Sequence, residues 1–221
     1  MKIGLISDVH ANIVALQAVL EDMKGVESIL CAGDIVGYNP FPNETVELMM
    51  EHRVRSVKGN YDNAVVTGDT QWFNAVATQT IRWTAEQLSR ESLRYLEILP
   101  DHIDLSGLMI HHGSPNRIEE FVFENDDERL CHIFDPFDSH VIVFGHTHIP
   151  MSRVCGKKTI LNPGSVGQPR DGDPRASYGI WDTEISQFTL RRVSYDIKKV
   201  QDRISEAGLP QIMADRLRYG R

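Results

Sequence analysis

Carboxylate, imidazole and amide side chains recur at five places in this chain, each just past a short apolar run. Ser7-Asp8-Val9-His10 follows Ile3-Gly4-Leu5-Ile6, and Gly33-Asp34 follows Ser28-Ile29-Leu30-Cys31. Gly59-Asn60 follows Val54-Arg55-Ser56-Val57, His111-His112-Gly113 follows Leu108-Met109-Ile110, and Gly145-His146-Thr147-His148 follows Val141-Ile142-Val143-Phe144. The apolar runs read as buried strands. In open α/β sheets, ligand sites are built at the carboxyl ends of the strands. Five stations of Asp, Asn and His converging there predict a metal centre, and a pair of ions rather than one.

Each station contributes differently. Asp8 and His10, two residues apart, point the same way if the backbone is extended, so a carboxylate and an imidazole could share one ion. His146 and His148 repeat that spacing with the commonest transition-metal ligand. Asp34 could bridge two cations through its two oxygens, and Asn60 could donate a neutral carbonyl oxygen. The glycines before them let the backbone approach an ion closely. His111 and His112 must face opposite ways on a regular strand. The adjoining glycine favours His112 as the ligand and leaves His111 as a hydrogen-bonded core histidine.

The elements that must position these groups follow a β-α-β-α-β order at the start. Strands are expected near 2–7, 27–32 and 53–58, with helices over 12–24 and from Pro42 to His52; this order implies a parallel sheet covered by helices. Residues 65–100 read as helical throughout, serving as core or as a cap over the site. Further strands are expected at 102–112, 140–145, 152–155 and 158–161, and a helix lies between Glu119 and Asp135. Two last strands, at 177–182 and 187–194, suggest an antiparallel hairpin in a second sheet. The tail from Asp196 reads as two helices broken at Gly208-Leu209-Pro210. With no repeat or linker in 221 residues, residues 1–221 are expected to form a single domain of two packed sheets with helices outside.

Composition narrows the function. The net charge of −8 argues against broad nucleic-acid binding, which needs Lys and Arg to neutralise phosphates. It leaves room for a phosphate substrate, because buried ions supply local positive charge. Three widely spaced cysteines, Cys31, Cys131 and Cys155, predict reduced thiols rather than a disulfide framework or a zinc ribbon. No run approaches the roughly 20 apolar residues needed to span a bilayer, and the first residues carry no signal-peptide pattern. A cytoplasmic protein without membrane contact is expected.

The ordered set Asp8-x-His10, Gly33-Asp34, Gly59-Asn60, His112-Gly113 and Gly145-His146-x-His148 resembles the calcineurin-like metallophosphoesterase superfamily. Gly33-Asp34-Ile35-Val36-Gly37-Tyr38, Trp83-Thr84 and the stretch from Asn162-Pro163-Gly164-Ser165 through Arg170-Asp171-Gly172-Asp173-Pro174-Arg175 resemble its small bacterial and archaeal phosphodiesterase-type members. The resemblance implies a four-layer αββα sandwich of two mixed β-sheets flanked by helices. It assigns Asp8, His10, Asp34 and His148 to one metal and Asp34, Asn60, His112 and His146 to the other, with Asp34 as the bridge. Mixed N/O ligation without sulfur suits Mn, Fe, Co, Ni or Zn, as divalent or mixed-valence ions, better than Mg or Ca. The implied reaction is hydrolysis of a phosphoester, most simply a diester, by a hydroxide bridging two ions about 3.5–4 Å apart.

One departure bears on proton transfer. Many members carry a His directly after the Asn; here the run is Gly59-Asn60-Tyr61-Asp62. Tyr61 and Asp62 are the side chains left there for catalysis, and a phenol with pKa near 10 is a reluctant acid. Good leaving groups such as nitrophenyl esters or pyrophosphate-type linkages are therefore expected to react faster than alkyl monoesters. Arg170 and Arg175 are candidates for bidentate contact with substrate phosphate, and Tyr38 for stacking on a base or ring. The expected partner is a small phosphorylated molecule, nucleotides among the candidates, with a homo-oligomer left open. Two other functions fit the same fold: hydrolysis of dinucleoside polyphosphates such as diadenosine tetraphosphate, and a non-catalytic scaffold like the related retromer subunit. Every ligand position is filled, which counts against the scaffold.

Overall fold

The structure, a computed structural model, describes residues 1–105, 107–123 and 127–221. Strand β1 (Lys2–Ile6) leads into helix α1 (Ile13–Asp22), β2 (Ser28–Cys31), α2 (Pro42–Glu51) and β3 (Arg55–Ser56). Helices α3 (Asn60–Thr67), α4 (Ala75–Gln87) and α5 (Arg90–Glu97) follow. The second half opens with β4 (Ile103–Leu105), β5 (Leu108–Ile110), α6 (Asp127–Phe134) and β6 (Val141–Val143). Hairpin β7 (Met151–Cys155) and β8 (Lys158–Asn162) precedes β9 (Ala176–Asp182) and β10 (Gln187–Val193), and α7 (Ile197–Glu206) and α8 (Gln211–Tyr219) end the chain.

These strands form two mixed five-stranded sheets, ordered β10-β9-β1-β2-β3 and β4-β5-β6-β8-β7. Strands β1, β2 and β3 run parallel, as do β5, β6 and β8. Side chains alternate faces along each strand, and the buried clusters follow that period. Ile3 and Leu5 of β1 meet Leu108, Ile110, Val141, Val143 and Leu161 in a core between the sheets. Ile6 faces the opposite way, into the layer formed with α1 to α5, α7 and α8. Ile142, Phe144 and Ile160 face outward on the second sheet, against Leu130 and Phe134 of α6. The layers are therefore helix, sheet, sheet, helix.

Three expectations change. The β9–β10 hairpin does not build a second sheet: β9 pairs antiparallel with β1, Leu5 opposite Gly179 and Lys2 opposite Asp182, closing the side of β1 that β2 leaves open. The 65–100 stretch is not continuously helical. It is divided between α3, α4 and α5 at Gly68, where φ is +76°, and at Leu88-Ser89, where Ser89 caps α5. Cys131 and Cys155 are joined in a disulfide. Packing of α6 on β7 brings their Cα atoms to 5.4 Å, a proximity that 24 residues of separation hide from the sequence. Cys31 remains a buried thiol, which burial pushes up to about 12. No helix among the described residues is long and apolar enough to cross a membrane.

Candidate metal centre

The loops leaving β1, β2, β3, β5 and β6 meet at one edge of the sandwich and gather two groups of buried side chains. Asp8, His10 and His148 form one, and Asp34, His112 and His146 the other. Asp34 lies between them, its Oδ2 3.5 Å from His10 Nε2 and 3.3 Å from His112 Nε2. His148 Nε2 is 3.3 Å from Asp8 Oδ1 and 3.1 Å from His10 Nε2. His112 Nε2 is 2.8 Å from Asn60 Oδ1 and 3.1 Å from His146 Nδ1.

The proton inventory shows whether cations fit here. The far nitrogen of each imidazole lies against a backbone carbonyl: His10 Nδ1 on Val36, His112 Nδ1 on Ala32, His146 Nε2 on Glu119 and His148 Nδ1 on Gln168. Only an N–H satisfies a carbonyl, so in its neutral form each ring turns a bare lone pair toward the others, as oriented metal ligands do. The carboxylates are split in the same manner. Asp34 Oδ1 accepts from the Tyr61 backbone N–H at 2.8 Å, and Asp8 Oδ2 from that of His146 at 3.1 Å. Asp34 Oδ2 and Asp8 Oδ1 are buried with no hydrogen-bond partner. Facing lone pairs and orphaned carboxylate oxygens in an apolar interior are costly unless a cation lies among them.

Burial and charge both act on these groups. Burial pushes His10 and His146 down to about 3 and His148 well below its ordinary value. Burial likewise pushes Asp8 up to about 7. Burial also opposes charge on Asp34 and His112, but their pairing, helped by His10 and His146 beside Asp34 and by Asp8 beside His112, outweighs it: Asp34 is held at about 2 and His112 is raised to about 9.

The backbone achieves this convergence differently from the regular strand pattern. Asp8, His10, Asp34, His146 and His148 all have φ between +47° and +66°. Asp8 and His10 therefore converge through left-handed turns, and not by alternation along an extended strand. Each such residue costs about 1–3 kcal/mol, so the turns must be held from outside. The N–H groups of Asp8, His10 and Ala11 donate to the carbonyls of Gly33, Asp34 and Ile35. Asn162 Nδ2 donates to the Gly145 carbonyl at 2.9 Å, and Ser165 Oγ to that of Asp8 at 2.7 Å. The Asn162–Arg175 loop therefore braces the site turns; its likeness to the phosphodiesterase-type members and its arginines mark it in the sequence, and neither assigns Asn162 and Ser165 these positioning contacts.

Other candidates separate. Arg170 enters a cavity of about 390 Å³ together with Asp34, Asn60, His146, His148, Tyr38 and Tyr61. Its guanidinium donates to the Tyr38 hydroxyl at 3.1 Å and lies 5.7 Å from that ring. Arg175 does not reach the cavity, because Asp173 takes its guanidinium at 2.6 Å on the exposed side of the loop. Asp62 is not placed for catalysis. Its oxygens accept from the backbone N–H groups of Ile35, Val36 and Gly59, fastening the β2 loop to the start of α3. Burial pushes it up to about 6. Tyr61 donates to the Tyr38 hydroxyl, and burial and Tyr38 raise it well above the ordinary phenol range. Trp72, Phe73, Phe121 and Arg216 also line the cavity, and no motif in the sequence singled them out.

His111 faces away from both groups. It stacks on His102 with centroids 5.6 Å apart, lines a separate surface cavity, and leaves Nε2 without a partner, so it is not the hydrogen-bonded core residue expected. Replacing His111 by Gln is predicted to leave metal content at the wild-type value, whereas His112→Gln loses an ion. Elemental analysis of both purified variants checks this, and wild-type content in His112→Gln would remove His112 from the site.

Residues 1–186 match the sequence profile of the calcineurin-like phosphoesterase superfamily domain. The chain belongs to that superfamily. As a calcineurin-like phosphoesterase it is a hydrolase of phosphoester bonds, consistent with two side-chain groups able to hold metal ions. It is 37% identical over 244 residues to an uncharacterized protein of Methanocaldococcus jannaschii, covering 99% of this chain and 98% of that one. The crystal structure of a metallophosphoesterase from Sphaerobacter thermophilus superposes with a TM-score of 0.91 at 40% identity, covering 100% of this chain and 99% of that one. The Escherichia coli phosphodiesterase YfcE is 27% identical over 203 residues, 84% of this chain and 89% of its own.

Proposed function

We propose that this calcineurin-like phosphoesterase is a two-metal phosphodiesterase acting on a small phosphoester, nucleotides included. The observation that carries the reading is Asp34 Oδ2, buried, unpartnered and within 3.5 Å of an imidazole nitrogen from each group. That position suits a carboxylate shared by two ions. Asp8, His10 and His148 would complete one ion's ligands, and Asn60, His112 and His146 the other's. When bound, such a pair supplies positive charge to the phosphate oxygens and acidifies water.

The chain's own residues do the rest. The Tyr61 N–H fixes one oxygen of Asp34 and so aims the other. Arg170, fixed by Tyr38 and Gln168, offers N–H donors to a phosphate oxygen. Trp72, Phe73 and Phe121 give the cavity an apolar wall, where an aromatic ring of a nucleotide can stack. The stretch 65–100 then belongs to one domain spanning residues 1–221: Ala77 and Ile81 join the core while Trp72 and Phe73 line the cavity.

Tyr61 is a poor proton donor, since its phenol is raised further from neutrality. Tyr61→Phe is expected to reduce kcat on bis-nitrophenyl phosphate by less than about a hundredfold, the lower range for one general acid. A larger loss would make Tyr61 the acid. Protein reconstituted with Mn is expected to hold two ions per chain and to hydrolyse bis-nitrophenyl phosphate faster than nitrophenyl phosphate. Fewer than one ion per chain, or a monoester preference, would sink the reading.

A further inference from the structure

Of the four imidazoles in the two groups, His146 is the one whose setting reaches the surface. The carbonyls at the far nitrogens of His10 and His112 belong to Val36 and Ala32, just past β2, and that at His148 belongs to Gln168, in the loop that braces the turns. The carbonyl at His146 Nε2, 3.1 Å away, belongs to Glu119, between β5 and α6. The same stretch lays a ring on the ligand: the Phe121 and His146 centroids are 4.1 Å apart, with their planes at 31°. Phe123 is stacked against Phe121, 5.8 Å apart with the planes at 2°. Burial alone does not place these two rings, since each is 44% exposed. Their neighbours in the chain anchor them. Val122 is buried with Leu130 and Phe134 of α6. Glu120 pairs with Arg129 of the same helix and accepts from the Ser114 hydroxyl. The Ser114 oxygen in turn accepts from the N–H groups of Asn116 and Arg117 at 3.2 Å and 3.1 Å.

The two contacts restrain different rotations of one ring. A hydrogen bond at Nε2 leaves an imidazole free to tip about that bond, and a flat aromatic face against the ring removes this freedom. Fixed in both senses, His146 keeps Nδ1 turned to its own group, 3.1 Å from His112 Nε2. Groups that aim a ligand without touching the metal shape the affinity of the site. Resting on the two-metal reading, we infer that Phe121 is a positioning residue: it sets the plane of the His146 ring, and thereby the affinity for the ion of Asp34, Asn60, His112 and His146, while supplying no ligand atom.

Calorimetric titration of Mn into the full chain, first stripped of metal with a chelator, tests this. The wild type is expected to bind two ions. Phe121→Ala should weaken one of them by about 10- to 100-fold, the range for groups that orient a metal ligand, and leave the other within about twofold. Phe121→Leu, which keeps apolar bulk without a flat face, should follow Phe121→Ala, and Phe121→Tyr, which keeps the ring, should bind as wild type. In a His112→Gln background, where that ion is already lost, adding Phe121→Ala should leave the remaining affinity unchanged. A general loosening of the fold would instead weaken both ions and carry over into that background, and either result overturns the positioning role. Wild-type affinities in Phe121→Ala or Phe121→Leu, or an equal loss in Phe121→Tyr, overturn it as well. The two readings fail separately. A single ion per chain in the wild type removes the two-metal reading; the positioning role then stands if Phe121→Ala weakens that ion and Phe121→Tyr does not, and falls otherwise.

Discussion

Asp34→Asn is expected to strip both ions from the protein and to lower turnover by at least about 10² to 10³-fold, the range seen when one preorganised electrostatic contact is lost. The size follows from the two oxygens of one carboxylate. Oδ1 is committed to the Tyr61 N–H at 2.8 Å, so it must remain an acceptor. An asparagine that satisfies this contact turns its NH₂ toward His10 and His112, where the unpartnered Oδ2 stood. That replaces a negative oxygen by donors with positive hydrogens at the point where cations converge. The flipped amide sets NH₂ against the Tyr61 N–H and loses the contact that aims the side chain. Neither rotamer works. Elemental analysis and kcat on bis-nitrophenyl phosphate check it, with circular dichroism confirming the fold. Two ions per chain in Asp34→Asn would show that the carboxylate bridges nothing.

Gly59→Ala is expected to act nearly as strongly without replacing a ligand. The backbone of Gly59 has φ −92°, which alanine adopts freely, so no conformational penalty arises. The obstacle is contact: a Cβ there would lie 2.0 Å from Asp34 Oδ1 and 2.1 Å from Asp34 N. Neither atom is the end of a flexible chain. The β2 loop must shift, and with it the carboxylate aimed at both groups. Overpacking of this kind costs about 1–3 kcal/mol of stability, and a misplacement of about 1 Å in a site can cost about 10²-fold in rate. Urea unfolding and steady-state kinetics measure the two effects. Wild-type turnover in Gly59→Ala would mean that Asp34 needs no fixed position.

These two positions also show what the sequence could and could not reveal. The chemistry was visible because it is local: a glycine, then Asp34 or Asn60, after an apolar run long enough to be a strand. The apolar runs around Ile3 and Leu5, and around Val141 and Val143, were legible as buried strands, and both pairs lie in the core between the sheets. Pairing between distant segments was not visible. Nothing near Ala176 tells that β9 completes the sheet of β1, and nothing near Cys131 points to Cys155. Side-chain destinations were equally hidden. Arg170 and Arg175 sit five residues apart in one loop, yet Asp173 retains the second on the surface. Asp62 looked available for proton transfer until three backbone N–H groups took its oxygens. Arg216 lies in an amphipathic tail helix whose pattern reads only as packing. The left-handed turns at Asp8 and His10 reverse the geometry that their spacing suggests while bringing the same two side chains together.

The two side-chain groups draw on both sheets. Asp8 and His10 follow β1 of the first sheet, while their companion His148 follows β6 of the second. Asp34 follows β2, while His112 and His146 follow β5 and β6. Each ion bound there would be a rivet through both halves of the sandwich, gripping the sheets at the edge where the loops leave them. An ion that binds only the assembled state adds RT ln(1 + [L]/Kd) to its stability, about 2.7 kcal/mol at a hundred times Kd. The supply of metal would then set how firmly this enzyme holds together as well as how fast it works.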